Sequence, residues 1–282
     1  MDVEIKKEAI SYHYDVGNNF YQHWLDSEMV YSCAMWDDDD ISLETAQLNK
    51  LDWHLDNLGI SNGNILDVGC GWGALLRRHI SKGAMNAGLG LTLSEAQKEY
   101  VKVNDPDINI LVESWTEHDE HNSYDGIVSI GAFEHFANRK LTRTEKNDLY
   151  TAFFSKCNRW LRAGGVLSLQ TIVYGTMTSE EQNLWFSDQV FPDSELPTVE
   201  EIEKASADFF ELKELRLDGK QYAKTCDIWL ERLRADKLTI IDSYGVEKYE
   251  HYVKYLKFCV VGFYSGKLDL SRFVLVSKGL EV

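Results

Sequence analysis

Three glycines at alternate positions, Gly69, Gly71 and Gly73, follow an apolar run through Ile65 and Leu66 that ends in Asp67. Glycine is required where backbone approaches a ligand closely or adopts a positive φ. Residues 66–74 therefore read as a strand, a tight turn and a helix start that present bare backbone to a ligand. The G-x-G-x-G spacing departs from the G-x-G-x-x-G dinucleotide fingerprint. A second group with chemical potential is Glu134-His135, just past an apolar run ending in Ser129-Ile130. A carboxyl buried there must be paired or protonated, which makes Glu134 a candidate acid or base and His135 a second polar anchor. Two acidic stretches are set aside. Glu117-His118-Asp119-Glu120-His121 lacks the rigid spacing of a metal site and reads as a solvated loop. Asp37 to Asp40 lacks the spacing and glycine of a calcium loop. No metal is expected.

Strands are predicted at 64–68, 84–91, 109–112, 125–130, 165–172, 210–217 and 272–278, with helices at 73–81, 94–103, 145–161, 222–236 and 246–262. A helix over Leu43 to Leu58, capped by Ser42, precedes them. Such alternation predicts an α/β, Rossmann-like fold with a mainly parallel seven-stranded sheet covered on both faces. Ligands bind beyond the carboxyl ends of such strands. Asp67, Thr92 and Leu93 with nearby Gln97, and Trp115 with Thr116 all fall on that rim. Thr92 and Gln97 take the place of the acid that usually grips ribose hydroxyls, and Trp115 is placed to lie against an adenine. The chain reads as one domain: an aromatic-rich approach segment (1–60), a core (61–172), an inserted helical cap (173–208) with Trp185 and Phe186, and the C-terminal part of the core (209–282).

With 282 residues and 44% hydrophobic content the chain can bury an extended core. Its net charge of −17 opposes nucleic-acid and anionic-membrane binding, which need a basic footprint. Neither a membrane-spanning apolar run nor a secretory signal is read. The five cysteines have no C-x-x-C spacing and suit a reducing cytoplasm. A small-molecule or acyl substrate is expected. No feature sets an oligomeric state.

The glycine turn is similar to the nucleotide-binding turn of S-adenosylmethionine (SAM) methyltransferases. The whole chain resembles the cyclopropane fatty acid synthases and their mycolic-acid-modifying relatives. The motifs are His13-Tyr14-Asp15-Val16-Gly17-Asn18-Asn19-Phe20-Tyr21, Tyr31-Ser32-Cys33-Ala34, Gly90-Leu91-Thr92-Leu93-Ser94 and Gly131-Ala132-Phe133-Glu134-His135-Phe136. Later echoes are Leu196-Pro197 and Tyr222-Ala223-Lys224-Thr225.

The resemblance implies SAM as cofactor, with Tyr31 and Ser32 joining Gly69, Gly71, Thr92, Gln97 and Trp115 around it. It implies methyl transfer to a carbon–carbon double bond through a carbocation, which Tyr14 and Tyr31 are placed to stabilise. It also implies a bound bicarbonate as base, held at Cys33, Glu134, Gln170, Ile172 and Tyr222. Gln170 departs from the pattern, since histidine usually stands there; glutamine donates and accepts hydrogen bonds but cannot become a cation. Two other functions stay open: a small-molecule methyltransferase acting on nitrogen, oxygen or an activated carbon, and a non-catalytic SAM-binding module.

Overall fold

The structure, a computed structural model, describes residues 17–178, 181 and 195–279. Tyr14, His13, Trp185 and Phe186, singled out above, lie outside the described residues.

Strand β1 (Ile65–Val68) is buried along its whole length, as its near-continuous apolar run requires. It pairs in parallel with β2 (Leu89–Thr92) and with β4 (Tyr124–Ile130). Outside β2 lies β3 (Asn109–Val112), and outside β4 lies β5 (Leu161–Tyr174), both parallel to their neighbours. Strand β7 (Leu268–Ser277) then runs antiparallel between β5 and β6 (Phe210–Leu217). The sheet order is β3-β2-β1-β4-β5-β7-β6. Chain order reverses between β1 and β4, so a ligand crevice opens beyond their carboxyl ends.

Helices α1 (Asn18–Gln22) and α2 (Leu43–Leu58) precede the sheet, and α3 (Ala74–Ser81), α4 (Glu95–Asn104) and α5 (Arg143–Trp160) link its parallel strands. Ser42 caps α2 by accepting from the Thr45 N–H, and Gly59 closes it at φ 69°. Beyond β5 come α6 (Val199–Ser206), α7 (Gly219–Ala235), α8 (Lys237–Tyr244) and α9 (Val246–Tyr264). On one face of the sheet Phe133, Tyr150, Phe153 and Trp160 pack with α5; on the other lie Leu51, Leu55, Leu75 and Val101. A third apolar group joins the N-terminal aromatics to α7 and α9. There Phe20 lies 4.5 Å from Tyr252 and Trp24 5.8 Å from Trp229, measured between ring centroids.

Most boundaries shift by one to three residues, and β7 starts at Leu268 where residue 272 was predicted; three other differences have local causes. Strand β2 starts at Leu89 instead of residue 84, because Asn86 accepts from the Gly88 N–H in a local turn. A Cβ at Gly88 would fall 2.1 Å from the Ile65 carbonyl oxygen. The helical C-terminal region holds three helices where two were predicted: α8 fills the stretch between them and ends at Gly245, φ 85°. Strand β5 extends past both predicted ends, since Leu161 pairs with Tyr124 of β4 at one end and Tyr174 with Leu268 of β7 at the other. Among the described residues, no helix is long and apolar enough to cross a membrane.

Candidate active site

After β1 the backbone turns at Gly69 (φ 84°) and Gly71 (φ 55°). The N–H groups of Gly69 and Cys70 both donate to the Leu91 carbonyl at 2.9 Å, tying the turn to β2. The two glycines serve different ends. A Cβ on Gly69 would stand 2.5 Å from the Ala132 Cβ, whereas one on Gly71 would meet nothing within 4 Å. Gly69 is a packing requirement; Gly71 keeps space open.

Two chambers adjoin at this rim. The larger, about 260 Å³, has walls from Val68, Leu91, Leu93, Trp115, Thr116 and Phe136. The smaller, about 70 Å³, is lined by Tyr31, Ser32, Lys50, Asp67 and Trp72. Gly69, Gly71, Gln97 and Gly131 belong to both walls. The first suits a flat apolar ring system, the second a charged head. Trp115 is held by Phe136 and Phe153, at ring-centroid distances of 5.1 and 5.3 Å. Thr92 Oγ1 donates to Gln97 Oε1 at 2.6 Å, which turns the Gln97 amide N–H2 away from it. Glu113, directly after β3, also lines the larger chamber; it is a strand-end carboxylate of the kind that β2 lacks.

Glu134 sits in a 3-10 turn, Phe133–His135, directly after β4, and is 3% exposed. Burial pushes its carboxyl up to about 7, although the Thr171 hydroxyl and the Ile172 N–H both donate to it. The Thr171 Oγ1 to Glu134 Oε2 distance is 2.8 Å. A Cβ on Gly131 would lie 3.9 Å from Glu134 Oε1 and 3.8 Å from the Ser32 Cβ. The carboxyl therefore stands against the residue that walls both chambers. His135 faces the larger chamber.

Gln170 and Ile172 project from β5, and Cys33 is fully buried opposite them. Burial pushes the Cys33 thiol up to about 11, so it is no thiolate at neutral pH. Tyr222 stacks on Phe263 at 4.4 Å.

Lys50 and Arg272 went unrecognised in the sequence, although both are at most 1% exposed. Lys50 Nζ donates to Ser32 Oγ at 2.9 Å. Burial draws its ammonium down to about 7 against the attraction of Asp26 and Asp67. Asp67 is pushed up to about 7 by the same burial, countered by Lys50. Arg272 interrupts the apolar run Leu270 to Leu275. A lone cation in such a run must be paired, and that was the available signal. The Glu117–His121 stretch also needs correction. His118 is buried, with Nδ1 3.0 Å from Glu113 and Nε2 3.0 Å from the Tyr124 hydroxyl. No group that could hold a metal occurs among the described residues.

This sheet order, glycine turn and paired chambers define a SAM-dependent methyltransferase, an enzyme of one-carbon transfer. Residues 2–273 match the mycolic acid cyclopropane synthetase family, and the chain belongs to that family. It is 37% identical over 282 residues to cyclopropane mycolic acid synthase 1 of Mycobacterium tuberculosis, covering 93% of this chain and 94% of that protein. The structure of the cyclopropane synthase MmaA2 from Mycobacterium tuberculosis superposes with a TM-score of 0.85 at 34% identity, over 96% of this chain and 98% of that one. The structure of mycolic acid cyclopropane synthase CmaA1 complexed with SAH and CTAB gives the same TM-score, identity and coverage.

Proposed function

We propose that the protein transfers the SAM methyl group to an unsaturated carbon of an acyl chain, with ring closure to a cyclopropane as the outcome. The observation that carries this reading is Glu134, a buried carboxyl raised to about 7 against the wall shared by the two chambers. The adenosyl part of the cofactor suits the larger chamber, with Thr92, Leu93, Gln97, Trp115 and Thr116 around it. Its amino-acid end suits the smaller one, where Asp67 and Lys50 offer a hydrogen-bond acceptor and a donor to a zwitterion. An alkene is a weak nucleophile, so the acceptor must be held close and dry against the sulfonium. Tyr31 lines the smaller chamber, as does Trp72; Tyr21 and Trp229 stand behind Tyr31, each at 5.3 Å between ring centroids. Such faces favour a nearby cation, a role we also propose for Tyr14. The lipid-like CTAB held by CmaA1 supports an acyl acceptor. Five free, buried cysteines fit a cytoplasmic setting.

The residues at the carboxyl end of β5 fit a small oxyanion. Gln170 Nε2 is buried without a hydrogen-bond partner among the described residues, and Glu134 is able to hold a proton at neutral pH. With Cys33 (through its backbone), Ile172 and Tyr222 they would hold bicarbonate, which supplies a base for the proton lost on ring closure. His135, walling the larger chamber, we assign to the cofactor side.

Incubation with SAM and a cis-unsaturated acyl substrate should release S-adenosylhomocysteine (SAH) and add one methylene to the acyl chain by mass spectrometry. Turnover confined to amines or phenols, with every alkene untouched, would overturn the reading. Lys50→Met should weaken SAH binding by about tenfold or more, since hydrogen bonds to charged groups are worth about 1.5–3 kcal/mol. Calorimetric titration with SAH checks this.

A further inference from the structure

Where the family resemblance implies a histidine this chain has Gln170, and the structure fixes which way round its amide stands. Arg272 Nε donates to Gln170 Oε1 at 2.8 Å, and His54 Nε2 lies 3.5 Å from the same oxygen. Arginine has donors only. Burial first, then the charges of Arg272 and Lys50, hold His54 well below the usual imidazole range, so its ring is neutral. The Ser168 hydroxyl lies 2.7 Å from His54 Nδ1, a contact in which either group can donate. The Arg272 Nε–H by itself fixes the amide oxygen on this side. The reverse orientation would set N–H2 against a guanidinium. Nε2 is left buried and without an acceptor among the described residues, an uncommon condition for a native donor.

Arg272 also reaches a second part of the same site. It is completely buried, pairs with Asp218 through Nη1, and donates through Nη2 to the Ala34 carbonyl at 3.1 Å, with the Cys33 carbonyl at 3.4 Å. One guanidinium therefore fixes the amide of Gln170 and the backbone beside Cys33 together. Its place is set by the sheet, since Gln170 on β5 and Arg272 on β7 are register partners.

Resting on the anion site proposed above, we infer that Arg272, backed by Asp218, is a positioning residue for bicarbonate. It locks Gln170 so that the amide N–H2 is presented to the anion, a fixed neutral donor in the place of an imidazole.

Gln170→Glu keeps the shape of the side chain and an oxygen for Arg272, but replaces the N–H2 with a second carboxylate oxygen. In SAH-saturated protein titrated with 13C-labelled bicarbonate, wild type should bind. Q170E should bind at least about thirtyfold more weakly, having lost a donor to an anion and gained a like charge. SAH affinity should stay within about twofold. Arg272→Lys keeps the charge and loses the planar fork, and should weaken bicarbonate by about tenfold with SAH binding again retained. Equal bicarbonate affinity in wild type and either variant overturns the inference. If Q170E fails to fold, R272K decides alone. A wild type that binds SAH but no bicarbonate removes the anion site and this inference with it, while methyl transfer is judged separately by the SAM assay.

Discussion

Glu134→Gln should cut turnover by about 10³-fold and, at alkaline pH, leave a more stable protein. The carboxyl is fully buried and pushed up from 4.5 to about 7, mainly by desolvation. Below pH 4.5 it is protonated both folded and unfolded, and the substitution is nearly neutral. Between 4.5 and about 7 the unfolded chain releases this proton while the folded one retains it. Wild type then loses stability as pH rises, and the deficit levels off above 7. A carboxyl raised from 4.5 to about 7 corresponds to about 3 kcal/mol. A glutamine keeps only part of the bonding from Thr171 and Ile172, so the net gain at pH 8 should be between about 1 and 3 kcal/mol. Turnover should fall about 10³-fold, within the range that a positioned acid or base contributes, with SAH affinity unchanged. Denaturant unfolding at pH 4.5 and 8, together with single-turnover kinetics, tests both halves. A variant as active as wild type would remove Glu134 from the chemistry.

Gly71→Ala and Gly69→Ala should separate binding from folding. Both glycines have positive φ, so alanine costs about 1–2 kcal/mol at either position. Beyond that they diverge. The Gly71 Cβ would enter open space shared by the two chambers, where the cofactor backbone contact is proposed. SAH binding should weaken ten- to hundredfold, about the cost of overpacking a fitted site, with the fold retained. The Gly69 Cβ would collide with Ala132 at 2.5 Å, so the thermal midpoint should drop well below that of the Gly71 variant. Calorimetry with SAH and thermal melts measure the two effects. Normal SAH binding by Gly71→Ala would mean that the ligand does not approach this turn.

Local rules made most of this fold legible in the sequence. Ser42 marks the start of α2 to the residue, because capping depends on neighbours alone, and the predicted end at Leu58 holds as well. Strands β3 and β6 have the predicted bounds. The rim residues Gly69, Gly71, Thr92, Gln97 and Trp115 follow from strand-end placement, which any doubly wound sheet imposes.

What escaped was non-local. Arg272 acquires its role only by standing across from Gln170, 102 residues away, and no periodicity carries that information. Lys50 sits on a helix whose pattern is amphipathic, so it passes for a surface lysine until Ser32 and Asp67 are seen beside it. His118 looked solvated because its neighbours Glu117 and Asp119 are; its partner Tyr124 belongs to the next strand.

Strand β7 has a consequence for how the molecule is made. It comes last of the seven along the chain, yet it lies between β5 and β6 in the sheet. A growing polypeptide emerging from the ribosome can assemble its parallel half early, but β5 keeps an open flank until residues 268–277 arrive. Arg272 travels on that strand. Until it docks, Gln170 has no guanidinium to hold it, so the glycine turn of a nascent chain is in place before the anion pocket proposed above can be organised.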